Sequence, residues 1–274
     1  EGMIGEKLFR ALLYVIFGSL TVFFIFPLIP VTLWAFSEKW PGESLVPTEY
    51  GLKWFKLLLD SGALIGPLTL SVVIGVIVVA FSALLSLPAA YAVGTKQFKG
   101  RELVISLLML PLIVPPVATG VGLLGYFTNI GLKSNIWAVA FAHMIGATPY
   151  MFRSLVANFE AIDPALEEAA RVLGASTFKV FIHVYLPLVT PGLLSGTIFA
   201  FSWSINEYLL TALVGLPDII TIPVQIFRYV GGYYVAIGPV SALSIVLLVP
   251  SIVFLILTEK YVRTEFIAGA GIKG

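Results

Sequence analysis

Six long apolar runs constrain this chain more than any other feature of its sequence. They cover roughly residues 9–36, 64–93, 103–126, 135–152, 189–213 and 236–258. A helix that crosses a bilayer needs about 20 mostly apolar residues, and the fourth run is the shortest that qualifies. Of the 274 residues, 59% are hydrophobic and 11% are charged, whereas a soluble domain carries about 25% charged residues. The sequence therefore predicts an all-α integral membrane protein with six transmembrane helices.

Several functional classes find no support in the composition. The chain has no cysteine, which excludes disulfides and cysteine-based metal sites. A net charge of +1 gives no reason to expect a nucleic-acid partner. No segment has the order of a removable signal peptide. With two isolated histidines and no HExxH motif, we assign no catalytic or metal-binding residue and expect a chain that is not an enzyme.

The distribution of Lys and Arg predicts the orientation, because cytoplasmic loops of membrane proteins are enriched in these residues. If the N-terminus is cytoplasmic, the inner side holds eleven of the sixteen: Lys7, Arg10, Lys96, Lys99, Arg101, Arg153, Arg171, Lys179, Lys260, Arg263 and Lys273. The outer side then holds five: Lys39, Lys53, Lys56, Lys133 and Arg228. We therefore expect a multi-pass protein of the cytoplasmic membrane, the inner one where there are two, with both termini in the cytoplasm.

The runs also suggest a division of the chain. Residues 1–63 would form the first spanning helix and an outer loop, 64–258 a five-helix core, and 259–274 a cytoplasmic tail. In the outer loop, Trp54, Leu57 and Leu58 fall on one helical face beside two lysines. That pattern is typical of a helix lying on the membrane surface. An ordinary packed loop helix would give the same pattern.

One polar stretch, within residues 153–188, interrupts the apolar sequence between the fourth and fifth runs. Asp163 is a suitable N-cap and Pro164 suits the first helical position. Gly174 is the residue expected where a helix ends in a left-handed conformation, and Ser176 offers a second N-cap. We therefore predict two short helices, the second ending near Pro187, with a sharp bend at Gly174.

The same stretch resembles the cytoplasmic signature of a known family, the permease subunits of binding-protein-dependent ABC importers. That signature is EAA, three residues, Gly, nine residues, Ile, one residue, Leu-Pro. Here the matching positions are Glu168, Ala169, Ala170, Gly174, Val184, Leu186 and Pro187, and only Val184 departs from the pattern. The runs "LPLIVPPVATGVGLL" and "LPLVTPGLLSGTIFAFSWSINEYLL" also look like spans of that permease.

The resemblance implies a type I ABC importer permease fold in which residues 153–188, here named the coupling loop, carry a coupling helix that docks on a separate ATPase. Leu173 would join the matched residues on the docking surface. The chain lacks the phosphate-loop motif GxxxxGK[ST], so ATP and Mg²⁺ would be bound by the partner and no cofactor by this chain. The other partners implied are a second permease subunit, forming a heterodimer, two ATPase subunits and an extracytoplasmic solute-binding protein.

The substrate is less constrained. "LPDIITIPVQIFRYV" and "WFKLLLDSGALIGPLTLSVVIG" (residues 54–75) look most like the second permease of spermidine/putrescine importers, which favours a polyamine. Ionisable groups inside spans are costly and mark candidate functional sites. The residues we predict to line the path are Glu207, Asn206, Trp203, Ser202 and Phe199. Glu207 would equally serve as a purely structural hydrogen-bond partner, and sugar, ferric iron and aminophosphonate permeases stay open as alternatives.

Three further features carry structural interpretations. His143 is expected to be a packing residue, Pro115-Pro116 to break the third span, and the aromatic residues of 227–239 to form an interfacial belt. A secondary transporter, a membrane enzyme and a simple channel are the rival classes. A secondary transporter would often have two repeated halves, and a membrane enzyme would need a convergent catalytic set, but neither is evident in the sequence. A simple channel would have no need of a docking loop.

Cysteine labelling tests the topology. Cysteines introduced at Ser44 and Asn129 should react with an impermeant reagent in intact cells, whereas those at Gln97 and Ser176 should react only after permeabilisation. The charge bias of the loops is the physical reason. The opposite labelling pattern would contradict both the orientation and the cytoplasmic position of the coupling loop.

Overall fold

The structure, a computed structural model, describes residues 2–41, 43–231 and 235–270. Its helices and strands are α1 (Gly2–Ile25), α2 (Leu28–Ala35), β1 (Ser37–Lys39), β2 (Glu49–Tyr50), α3 (Lys53–Asp60), α4 (Ile65–Thr95), α5 (Arg101–Met109), α6 (Pro116–Asn129), α7 (Ile136–Glu160), α8 (Pro164–Val172), α9 (Thr177–Val180), α10 (Leu186–Asn206), α11 (Leu209–Val214), α12 (Ile222–Val230) and α13 (Ile237–Ala270). A 3-10 turn (Leu110–Leu112) follows α5, and a π-helical turn (Phe181–Tyr185) joins α9 to α10.

The fold is all-α except for one short antiparallel ladder between β1 and β2. Within the described residues, four helical segments are long and apolar enough to cross a membrane: Leu12–Ala35, Ile65–Thr95, Thr177–Asn206 and Ile237–Leu257. A fifth arises if Arg101–Leu112 and Pro116–Asn129, which are bent by 93°, are counted as one span. The remaining predicted run lies on α7, which has 25 residues, enough to cross a bilayer, but is less apolar.

Two predicted runs are broken rather than continuous. The third run bends before Pro116, as predicted, because proline cannot donate a helical hydrogen bond. The fifth run was expected to continue to residue 213, which is wrong. Helix α10 ends at Asn206, Glu207 adopts an extended conformation with ψ 117°, and α11 begins at Leu209.

Contacts divide the chain into two compact units. The first comprises Glu1–Leu64 with Ile226–Val246. In it Trp34 and Trp40 stack with ring centroids 4.3 Å apart, and Trp54 donates to the Ser37 hydroxyl at 3.4 Å. The predicted helix in the outer loop is present as α3, with Leu58 buried and Leu57 exposed. Its position on a membrane surface stays a prediction, as does the division of the chain at residues 63 and 258.

Some predictions concern residues beyond the described ones. Tyr233 and Tyr234 of the predicted aromatic belt, and residues 271–274 of the predicted tail, lie outside the part of the chain that the structure describes.

The second unit, Ile65–Gln225 with Leu247–Gly274, has its core around α7, which packs against α4 and α10. Glycine residues stand where the helices approach most closely, because a Cβ atom there would meet a neighbouring side chain. The close pairs are Gly75 with Phe201, Gly94 with Phe159, Gly146 with Trp203, Gly192 with Asn158, and Gly196 with Met151. Membrane helices commonly pack in this way, since small residues let two backbones come together.

The contact between Gly146 and Trp203 gives a prediction about stability. Gly146→Ala should destabilise the protein by about 1–3 kcal/mol, because the methyl group would overlap the indole ring. Gly122→Ala is the matched control, since a Cβ atom on that α6 residue meets nothing within 4 Å. Thermal unfolding in detergent measures both variants. Equal melting temperatures would show that the α7–α10 contact is not tightly packed.

Candidate functional site

The coupling loop begins with α8 and has the helix boundaries that the sequence predicts. The Asp163 side chain accepts a hydrogen bond from the Ala165 backbone N–H at 2.9 Å, and Pro164 is the first residue of α8. Gly174 has a φ of +82°, and the Ser176 hydroxyl caps α9 by accepting from the Lys179 N–H. The bend at Gly174 is therefore confirmed.

The end of the second predicted helix is wrong. That helix was expected to stop near Pro187, but α9 continues through the π-helical turn into α10 as one segment, Thr177–Asn206. Pro187 is the second residue of α10 and therefore lies next to the π-helical turn. A proline is tolerated where the regular i→i−4 hydrogen-bond pattern is already interrupted.

The residues of the EAA signature lie on both faces of this loop. Glu168, Ala169, Leu173, Gly174 and Pro187 are exposed. The signature residues that pack partly against the core are Ala170, Val184 and Leu186. Large apolar side chains at the bend face outward: Val172 and Leu173 are each 88% exposed and Phe178 is 74% exposed. Among the described residues, nothing covers this apolar surface of the loop.

The carboxylate of Glu167 is the polar centre of the loop. Lys96 Nζ lies 2.9 Å from Oε1 and 3.0 Å from Oε2, and the Tyr185 hydroxyl donates to Oε2 at 2.6 Å. Arg171, one turn further along α8, donates to Oε1 from Nε at 2.8 Å. These donors come from the residue after α4, the residue before α10, and α8 itself. With Glu167 only 8% exposed, the cluster holds a buried charge with its hydrogen bonds well satisfied.

The Glu167 carboxylate stays ionised at any physiological pH. Burial alone would raise the pKa of the Glu167 carboxyl, but hydrogen bonds from Tyr185, Lys96 and Arg171 outweigh burial and lower the pKa from 4.5 to about 2. Because the pKa is lowered on folding, the ionised contacts contribute fully above about pH 4.5 and are lost as the pH falls toward 2. The ion pairs therefore hold the loop in place throughout the physiological pH range.

A polar cleft of about 380 Å³ opens beside this cluster, lined by residues that include Gly94, Lys96, Glu160, Glu168 and Arg171. At its edge, Arg101 Nη2 lies 2.6 Å from the Glu160 carboxylate.

Glu167 was missed by reasoning from the sequence, which singled out its neighbour Glu168. The available signal was local: Glu167 and Arg171 are spaced i, i+4 on a predicted helix and can pair. Lys96 and Tyr185 could not be found in that way, because they are 71 residues before and 18 residues after Glu167.

The predicted path residues do not share one environment. Phe199 is exposed on α10 and stacks on Tyr150 of α7 at 6.4 Å between ring centroids. Ser202 is partly buried, and the exposed Asn206 donates to the Ser202 carbonyl at 2.8 Å. Trp203 instead packs against α7, with its ring edge-to-face on His143 at 6.0 Å. Phe199 and Asn206 therefore remain on the outward face, whereas Trp203 belongs to the helix contact.

Glu207 stands at the break between α10 and α11. Its Oε1 accepts a hydrogen bond from the Leu210 backbone N–H at 2.8 Å, so that the carboxylate caps α11. The side chain is only partly buried. It therefore makes a structural hydrogen bond at the start of α11.

His143 is a packing residue, as predicted. It is fully buried on α7, with Nδ1 3.0 Å from the Ser204 hydroxyl and Nε2 2.8 Å from the Thr211 hydroxyl. Both ring nitrogens are occupied by links to α10 and α11. Among the described residues, no group of three or more His, Cys, Asp or Glu side chains could hold a metal ion.

The chain as a whole resembles proteins of known class. Residues 86–264, well over half of the chain, match the family described as the binding-protein-dependent transport system inner membrane component. The chain belongs to this family and is a permease subunit of an ABC importer. Membership favours this class over the secondary transporter, enzyme and channel alternatives.

Two relatives bear on the subfamily. The spermidine/putrescine transport system permease protein PotC of Escherichia coli (strain K12) is 25% identical over 257 residues, which cover 90% of this chain and 94% of PotC. The putative 2-aminoethylphosphonate transport system permease protein PhnV of Salmonella typhimurium is 29% identical over 244 residues, covering 88% of this chain and 90% of PhnV.

Solved structures share the fold. A bacterial ABC transporter involved in the import of the acidic polysaccharide alginate superposes with a TM-score of 0.74 at 18% identity, covering 94% of this chain and 97% of that one. The MetNI methionine ABC transporter gives a TM-score of 0.63 at 17% identity, covering 77% and 97%. The type I permease fold inferred from the sequence is therefore confirmed.

Proposed function

We propose that this chain forms half of the translocation path of an ATP-driven importer and docks on a separate ATPase through its coupling loop. The observation that carries the proposal is the apolar surface of Val172, Leu173 and Phe178, which is exposed at the bend beside the polar cleft. Large exposed apolar patches rimmed by polar residues are typical of protein interaction sites. The EAA signature lies on the same loop.

This proposal includes partners and an orientation. The ATPase would bind ATP and Mg²⁺, a second permease subunit would complete the path, and the coupling loop and both termini would be cytoplasmic. A solute-binding protein would deliver substrate at the outer face. A structure of the alginate transporter in complex with its alginate pentasaccharide-bound periplasmic protein, whose permease resembles this chain with a TM-score of 0.72, supports that partner.

For the substrate, we propose a polyamine, supported by the likeness to PotC and by the Glu207 carboxylate at the break after α10. Lower local dielectric screening would strengthen its attraction for a cationic solute. An aminophosphonate is the second candidate, supported by the likeness to PhnV.

Coupling through the bend is tested with Gly174→Val. A β-branched residue at a φ of +82° is strained by about 1–2 kcal/mol, so the apolar surface should be displaced. We expect an affinity-tagged wild-type chain to co-purify with an ATPase, and the variant to lose most of that ATPase while its membrane insertion is unchanged.

Gly131→Val is the matched control, because Gly131 has a φ of +69° in the turn after α6, away from the coupling loop. A wild-type chain that captures no ATPase would contradict the proposed function. A Gly174→Val chain that captures as much ATPase as the wild type would contradict only the role of the bend.

The two substrate candidates predict different effects of removing the charge of Glu207. Glu207→Gln keeps an oxygen that can cap α11, so it should lower uptake of radiolabelled spermidine by removing charge alone. If the substrate is instead 2-aminoethylphosphonate, whose phosphonate group is anionic, the same substitution should leave its uptake unchanged or raise it. Reconstituted complexes with their binding protein provide the measurement. Loss of complex assembly in Glu207→Gln would show that the carboxylate has a structural role instead.

A further inference from the structure

We propose that Glu167 is a positioning residue that joins the coupling loop to two spanning helices at once and transmits ATPase movement to both. This inference rests on the proposed docking of the loop on an ATPase. It concerns a step that docking alone leaves open, namely how a displacement of α8 reaches the helices that enclose the path.

The first support is the way in which α8 is attached. Among the residues that the structure describes, Glu167 is the only α8 side chain that hydrogen-bonds next to α4 or α10. The other side-chain bonds of α8 are local: Arg171 contacts Glu167 and the hydroxyl of Thr177 at 3.4 Å. Any polar link from α8 to the spanning helices therefore passes through one carboxylate.

The second support is that the two links lead in different directions. Lys96 follows directly on α4, and its backbone N–H still bonds to the Ala92 carbonyl. Tyr185 directly precedes α10, which has 21 residues and spans about 30 Å along its axis. A shift of the carboxylate would thus act on the end of α4 and the start of α10 together. Because α10 is continuous from Leu186 to Asn206, with Pro191 inside it, a shift at Tyr185 has a single helix along which to reach the break at Glu207.

The third support is the rigidity of the junction. Tyr185 is 2% exposed, and its ring makes edge contacts with Tyr91 at 5.1 Å between centroids. Its hydroxyl bond to a carboxylate at 2.6 Å is short and charge-assisted, the stronger kind of hydrogen bond. A buried carboxylate cannot leave its donors without losing its compensation. The junction is therefore rigid, so a displacement of α8 moves the end of α4 and the start of α10 with it.

Two substitutions cut one link each. Tyr185→Phe removes only the hydroxyl that joins Glu167 to α10, and Lys96→Met removes only the ammonium that joins it to α4. Matched controls make the same chemical changes elsewhere: Tyr126→Phe on the exposed side of α6, and Lys99→Met three residues after Lys96. None of the four residues belongs to the apolar surface proposed to contact the ATPase.

The measurement is hydrogen exchange, read by mass spectrometry, on the purified complex with and without ATP and vanadate. In the wild type and both controls, the nucleotide should change exchange in α4 and α10. In Tyr185→Phe the nucleotide-dependent change in hydrogen exchange within α10 should fall by roughly tenfold, because one hydrogen bond to a charged group is worth about that factor. The change in α4 should persist. Lys96→Met should give the reverse pattern. The ATPase should remain bound in every variant.

Several results would overturn the inference. Wild-type responses in both substituted chains would show that movement does not pass through Glu167. Loss of the bound ATPase in both would show that the cluster only maintains the docking surface. If the double variant, Tyr185→Phe with Lys96→Met, keeps its α4 and α10 responses, movement likewise does not pass through Glu167. Failure of the wild-type chain to capture any ATPase would instead overturn the proposed function, and this inference with it.

Discussion

Close packing of α7 between α4 and α10 is the contact on which the rest of the second unit depends. A bilayer offers no hydrophobic driving force between helices, so association has to come from van der Waals contact and buried hydrogen bonds. Gly146 and Gly196 let α7 and α10 approach, and the links of His143 to Ser204 and Thr211 fix the depth at which they meet. With that spacing set, the ends of α4 and α10 arrive at the coupling loop close enough for Lys96 and Tyr185 to reach one carboxylate.

The breaks in the spanning segments follow from the same solvent. Backbone groups freed within hydrocarbon must find partners in the protein. At the end of α10 the chain meets this need locally, since the Glu207 carboxylate accepts from the Leu210 N–H, and Thr211 donates to the Glu207 carbonyl at 3.3 Å. Glu207, which the sequence predicts to line the path, therefore also caps α11 and satisfies a backbone N–H freed at the break. The two roles are compatible, because one carboxylate oxygen is enough for the cap.

Local signals gave the parts of this structure that could be predicted from sequence. Asp163, Pro164, Gly174 and Ser176 each act within a few residues, and the boundaries of α8 and the start of α9 follow them. Hydrophobic runs of membrane length likewise located the long helices. The continuation of α9 into α10 was not predictable, because a π-helical turn before Pro187 has no clear sequence pattern. The Glu167 cluster was not predictable either, since its donors come together only after α4, α7 and α10 have packed.

The choice of a buried ion cluster, rather than apolar packing, at this junction has a physical consequence. Replacing a buried ion pair with apolar residues often costs little stability, so such a cluster is weak evidence for stabilisation. Its distinctive property is geometric: an apolar contact tolerates sliding, whereas a carboxylate with donors at 2.6–3.0 Å on both oxygens accepts one arrangement. Arg171 adds compensating charge from α8 itself, without linking α8 to a spanning helix. The cluster therefore fixes the angle at which α8 leaves the spanning helices, which is the quantity that a docking loop must hold constant to transmit movement.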